Sequence, residues 1–335
     1  MRLPIAPALL LSGMIVLAAC DKQPEPKSKA TLESHGSSAS SAAPKSAARP
    51  DITPSIPFKF PAPERLVAVG DVHGDFDATR KVLQLAQVVD EAGHWKAGKL
   101  VVVQTGDQLD RGDDERKILD YFETLREEAK KAGGALHVLL GNHETMNAMA
   151  DFRYVTPGGF KAFADVEESG VPESVIGRYP ASAQGRARAL LPGGKYAALL
   201  AKRNTVVIVG DSLFVHGGVL PEHVDYGLGR LNEEVRDWLS GKKSSPPSII
   251  ARDDAPVWSR DYSEPAGGKA DCKRLSEVLD RLKLKRMVVG HTVQSQGVTQ
   301  ACDGKVWRID VGLAHHYGGP TQALEIRGET VSVVK

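Results

Sequence analysis

Five short clusters in this sequence set glycine beside carboxylate, imidazole or amide side chains. They are Gly70-Asp71-Val72-His73-Gly74, Gly106-Asp107-Gln108-Leu109-Asp110-Arg111-Gly112, Gly141-Asn142-His143-Glu144, Val215-His216-Gly217-Gly218 and Val289-Gly290-His291-Thr292. Together they offer the donors of a metal centre. Mixed nitrogen and oxygen donors suit manganese, iron or zinc better than calcium. The glycines allow sharp turns and close approach of backbone to an ion. Any one of these residues alone would signify little, because a single Asp after a strand is usually a turn or helix cap. The joint pattern carries the reading.

The elements that must position these clusters can be read around them. Leu66 to Val69, Leu100 to Val103 and Leu136 to Leu140 are short apolar runs, and each ends in one of the first three clusters. Such runs predict buried strands. Between them, Asp75 to Val89 and Glu115 to Lys131 have helical spacing, the second with Ile118, Leu119, Phe122 and Leu125 on one face. This β-α-β-α-β order predicts an α/β fold, and open α/β sheets place ligands at the carboxyl ends of strands. Residues 149 to 203 are glycine-rich and mostly helical in pattern. Strands follow at Thr205 to Val209, Leu213 to Val215, Met287 to Val289, Val306 to Ile309, Ala323 to Ile326 and Val331 to Val334. Leu228 to Leu239 and Leu275 to Leu282 read as helices.

Composition excludes some classes. The 335 residues carry 43 Lys and Arg against 42 Asp and Glu, a formal charge of +1. No broad basic field points to nucleic acid, and no acidic block points to a solvating tail.

Three of the clusters read GDVHG, GDQLDRG and GNHE. With the two histidine clusters, in this order, they resemble the metallophosphoesterase superfamily and, within it, the phosphoprotein phosphatases. Met146-Asn147, Arg153-Tyr154-Val155-Thr156-Pro157 and the stretch from His216 to His223 resemble the bacterial Shewanella-like branch. The similarity spans about Arg65 to Val334. It implies a calcineurin-like αββα sandwich, two mixed β-sheets flanked by helices. It also implies two metal ions (Mn, Fe or Zn): Asp71 and His73 on the first, Asp107 bridging, and Asn142, His216 and His291 on the second. A hydroxide bridging the ions would attack phosphorus in line. His143 would protonate the leaving oxygen with Asp110 orienting it, and Arg111 would grip the phosphate. Arg260 is chosen as the second phosphate arginine, with Arg252 its rival. Glu144 is expected to stabilise the turn. Arg153 and Tyr154 are weaker candidates for substrate contact. Eukaryotic members carry a serine-alanine-proline-asparagine-tyrosine loop near the end. Here Asp310 to Tyr317 departs from it.

The implied activity is a metal-dependent phosphomonoesterase acting on phosphorylated protein, peptide or small phosphoester, with phosphotyrosine favoured. A dinucleoside polyphosphate hydrolase or phosphodiesterase is the alternative. The non-enzyme alternative is a membrane-tethered metal-binding scaffold lipoprotein, which would have lost His143, Asp107 or Arg111.

The first residues form a basic start, a short apolar run and Leu17-Ala18-Ala19-Cys20. This has the shape of a signal peptide and resembles a bacterial lipobox. It implies a lipoprotein signal over 1–19 and lipid on Cys20, facing the periplasm or the cell surface. Residues 20–63 are rich in Ser, Ala and Pro and read as a disordered tether. The catalytic domain is assigned to 64–335. Cys272 and Cys302 are the remaining cysteines, and a bridge between them is left open.

Overall fold

The computed structural model describes residues 51–264 and 268–335. The leader, Cys20 and the tether to residue 50 lie outside the described residues.

In chain order the elements are β1 (Lys59–Phe60), β2 (Leu66–Val69), α1 (Phe76–Leu85), β3 (Val101–Gln104), α2 (Glu115–Lys131), β4 (Ala135–Val138) and α3 (Asn142–Ala148). Next come α4 (Pro157–Lys161), α5 (Glu173–Ile176), α6 (Ala181–Leu190), α7 (Lys195–Leu200), β5 (Val206–Val209), β6 (Ser212–Val215), α8 (Pro221–Tyr226) and α9 (Leu228–Leu239). The chain closes with α10 (Cys272–Leu282), β7 (Arg286–Val289), β8 (Thr299–Ala301), β9 (Val306–Arg308), β10 (Ala323–Arg327) and β11 (Thr330–Val334).

Two mixed sheets result, ordered β11-β10-β2-β3-β4 and β1-β5-β6-β7-β9-β8. The alternation of side chains along each strand explains the layering. On β2, Leu66 and Ala68 join Val207, Phe214, Val288 and Ile309 in an apolar layer between the sheets. Val67 and Val69 face the other way, onto Val82, Ile118 and Phe122 of α1 and α2. On β6, Leu213 and Val215 pack with Leu231 and Trp238 of α9 and Val278 of α10. With both faces covered, these strands read as unbroken apolar runs. The fold is the predicted calcineurin-like αββα sandwich.

Several boundaries differ from the sequence reading. Helix α1 begins at the Asp75 cap, whose side chain accepts from the Ala78 N–H, and ends at Leu85. Gln87 then turns left-handed (φ 56°), and Val89 bridges to Trp95 instead of extending the helix. Residues 51–63, assigned to the tether, belong partly to the folded body. Phe58 is buried and β1 pairs in parallel with β5. Asp51 accepts from the Gly229 and Arg230 N–H groups at the start of α9. Two residues of strand have no readable period, so composition alone set that boundary too late. Cys272 and Cys302 form a disulfide with their Cα atoms 5.3 Å apart, joining the start of α10 to the turn before β9. No helix among the described residues is long and apolar enough to cross a membrane.

Candidate active site

Each predicted ligand lies just beyond a strand end or at the head of α3, and all six are buried: Asp71, His73, Asp107, Asn142, His216 and His291. The loops after β2, β3 and β4 come from one sheet, and those after β6 and β7 from the other. Two glycines permit the closest approaches. A Cβ on Gly141 would lie 2.1 Å from Asp107 Oδ1, and one on Gly290 would lie 2.3 Å from Asp71 Oδ1.

Five non-glycine residues here have left-handed backbone: His73 (φ 40°), Asp107 (58°), Asp110 (67°), Arg111 (69°) and His291 (68°). Each such residue costs about 1–2 kcal/mol, so the surroundings must hold it. Glu144 does much of this. Its carboxylate accepts from the N–H groups of Asp107 (2.9 Å), Gln108 (2.8 Å), Leu109 (3.1 Å) and Gly141 (2.7 Å). Glu115 accepts from the Asp110 N–H, and Tyr154 O from the Arg111 N–H at 3.1 Å. Glu144 thus has the turn-stabilising place expected of it.

The donor atoms converge on Asp107. Its Oδ2 lies 3.2 Å from His216 Nε2, 3.7 Å from His73 Nε2 and 3.8 Å from His143 Nε2. His216 Nδ1 is 3.0 Å from Thr105 O, and His73 Nδ1 is 3.1 Å from Leu109 O. A carbonyl only accepts, so each Nδ1 carries the proton and each Nε2 offers a lone pair. His216 Nε2 also lies 2.8 Å from Asn142 Oδ1. Acceptors therefore point at acceptors. His291 Nε2 is buried with no hydrogen-bond partner, while its backbone N–H donates to Asp71 Oδ2 at 3.1 Å.

Electrostatics point the same way. Burial and the neighbouring His143 lower the His73 pKa to about 3, so its imidazole is neutral, as a ligand must be. Burial, then His216 and Arg260, pushes His291 down as well. Burial, with the Asp310 and Asp107 carboxylates nearby, raises Asp71 well above the usual range. Burial opposes ionisation of Asp107, and its carboxyl is held well below the usual range only by positive charge at the facing His216, His143 and His73 positions. Converging lone pairs, crowded buried carboxylates and an unpartnered imidazole nitrogen fit divalent metal ions. Within 4.8 Å of one another lie ligating atoms of His73, Asp107 and His143, and likewise of Asp107, His216 and His291.

His143 differs from the other imidazoles. Its Nδ1 is 2.6 Å from Asp110 Oδ2, and its backbone N–H donates to Asp107 Oδ1 at 3.0 Å. Burial would lower its pKa, but Asp107, Asp110 and Glu144 together raise it. Arg111 lies with its guanidinium carbon 3.9 Å from the Tyr154 ring centre. Tyr154 also flanks His143, ring centres 5.3 Å apart. Arg260 donates to Thr292 Oγ1 at 3.1 Å, next to His291, whereas Arg252 forks onto Asp254 at the surface. Arg153 is likewise tied to Asp151. Trp258 sits edge-on to His291 at 5.6 Å and Tyr317 lies 5.3 Å from His73.

The sequence reading missed Asp310. It is fully buried, acts on Asp71, and has a pKa raised to about 6, chiefly by burial. Its signal was available, because it follows a strand as the assigned aspartates do. Arg186 was missed too, and nothing local in its helix marks it.

A family profile described as calcineurin-like phosphoesterase matches residues 64–295. The chain is 40% identical over 302 residues to Shewanella-like protein phosphatase 2 of Arabidopsis thaliana, covering 81% of this chain and 77% of that one. It is 27% identical over 266 residues to Shewanella-like protein phosphatase 1 of Plasmodium berghei, covering 76% and 69%. Among solved structures, a cold-active protein tyrosine phosphatase superposes with a TM-score of 0.68 at 25% identity, covering 84% of this chain and 78% of that one.

Proposed function

Because the chain belongs to the calcineurin-like phosphoesterase family, and is thus a hydrolase acting on phosphoester bonds, we propose that it is a protein phosphatase-like phosphomonoesterase favouring phosphotyrosine. The observation that carries this reading is the His143–Asp110 pair set beside the Asp107 cluster. It supplies a proton donor where a leaving oxygen would depart.

Asp71, His73, Asp107, Asn142, His216 and His291 would hold two ions, manganese, iron or zinc. Once bound, these supply Lewis acidity and an activated water for in-line attack at phosphorus. The chain's own groups do the rest. Arg111 and Arg260 take the non-bridging oxygens, since a planar guanidinium matches phosphate geometry. His143 gives its Nε2 proton to the leaving oxygen, and Asp110 accepts from Nδ1 and keeps the ring oriented. Tyr154, Trp258 and Tyr317 give the rim aromatic faces, which supports an aryl phosphate. The two Shewanella-like relatives are protein phosphatases, which supports a phosphoprotein substrate, and the superposed structure is a tyrosine phosphatase, which supports the aryl ester.

A panel of phosphotyrosine peptide, phosphoserine peptide, diadenosine tetraphosphate and a bis-ester, run with Mn, Fe and Zn, tests this. Phosphotyrosine peptide is expected to give the highest kcat/KM. Hydrolysis of diadenosine tetraphosphate or the diester alone would leave the dinucleoside polyphosphate or phosphodiesterase reading in its place.

We also propose that the protein is of the bacterial Shewanella-like branch, which Met146-Asn147 and Arg153 to Pro157 support, and that it is exported and anchored by lipid on Cys20. Support for the export and the anchor comes from Leu17-Ala18-Ala19-Cys20 and from the Cys272–Cys302 disulfide, which suits an oxidising compartment. A radiolabelled fatty acid should enter the protein and be lost in Cys20→Ser. Equal labelling of both forms would remove Cys20 as the anchor.

A further inference from the structure

The acid–aspartate pair does not stand alone. Arg186, on α6 within the 149–203 segment, is fully buried, and all five of its guanidinium N–H groups find acceptors. Nη2 donates to Asp110 Oδ1 and to Glu115 Oε1, each at 3.1 Å. Nη1 donates to Glu115 Oε2 and to Gly159 O. Nε donates to Asn147 Oδ1 at 2.8 Å. The Phe152, Phe160 and Phe163 rings lie 5.3–6.0 Å from the guanidinium carbon and keep water away.

The consequence falls on Asp110. Its Oδ1 is taken by Arg186 and by Asn147 Nδ2 (3.0 Å), while Oδ2 alone meets His143 Nδ1. The carboxylate cannot rotate, and His143 can present only Nε2 to the reaction. Without the guanidinium, the Asp110 and Glu115 carboxylates would face one another unscreened in a buried setting. We propose that Arg186 is a positioning residue for proton delivery. It fixes Asp110, Asp110 fixes the His143 imidazole, and the 149–203 segment thereby sets the orientation of the acid. This rests on the reading of His143 as the acid.

The test uses zinc-loaded full chain. Arg186→Met alone would leave the buried Asp110 and Glu115 carboxylates without the cation between them and could fail to fold, so it is combined with Glu115→Gln. On a phosphoserine peptide, kcat should fall about 10–100-fold, the scale of losing a group that orients an active side chain. On p-nitrophenyl phosphate, whose leaving group needs little protonation, the fall should be a few-fold. KM and zinc content should hold. The strongly hydrogen-bonded Nδ1 proton of His143 should move or vanish in nitrogen-edited NMR spectra. Arg186→Lys should recover part of the rate. Added to His143→Ala, the paired substitution should cause little further loss. A uniform loss across leaving groups, an unmoved Nδ1 proton, or full additivity with His143→Ala would overturn the proposal. Normal phosphoserine turnover in His143→Ala itself would instead remove the acid reading on which it rests.

Discussion

Replacing Asp107 with asparagine should strip the chain of bound metal and lower kcat on the order of a thousand-fold or more, whatever the substrate. The size follows from position. One oxygen of Asp107 faces three imidazole nitrogens at 3.2–3.8 Å, and the other accepts the His143 N–H. Asparagine keeps the shape but loses the charge, and it turns one acceptor into a donor aimed at lone pairs. The fold should survive, because the change removes a charge from a buried site. Elemental analysis beside steady-state kinetics checks this. Full turnover with the metal gone would mean that the chemistry lies elsewhere.

His143→Ala has the second largest expected effect, and a different signature. Metal content should remain, since the six proposed ligands are untouched. Turnover of substrates with poor leaving groups should drop by roughly 10²–10⁴, the usual worth of a positioned general acid. Aryl phosphates with acidic leaving groups should lose far less. A rate profile against leaving-group pKa reads this as a steeper slope. Unchanged rates on phosphotyrosine would exclude His143 as the acid.

Much of this site was legible because its groups arrive in dense strings. Asp107, Asp110 and Arg111 share one loop, and Asn142, His143 and Glu144 share another. The strands before them are covered on both faces, so they read as runs of valine and leucine. What escaped was held by distant partners. Arg186 meets Asp110 across 76 positions and Glu115 across 71. No periodicity in α6 announces such pairs. Helix α3 begins within a ligand motif and was masked by it. The disulfide depended on a Cα separation that spacing cannot supply. The docking of residues 51–63 onto the folded body rested on Asp51 and Phe58, single residues in a stretch that composition assigned to the tether.

The way the sheets are closed also bears on synthesis. Strand β2, which leads into Asp71, pairs with β10 through Ala68 and Leu324, and His291 arrives on the second sheet long after Asn142. A chain still emerging from the ribosome therefore lacks its sixth ligand until His291 is made, and it holds an exposed β2 edge until β10 follows. Activity should appear late and all at once as the nascent chain lengthens. Products that stop before β10 should be inactive and prone to capture by chaperones.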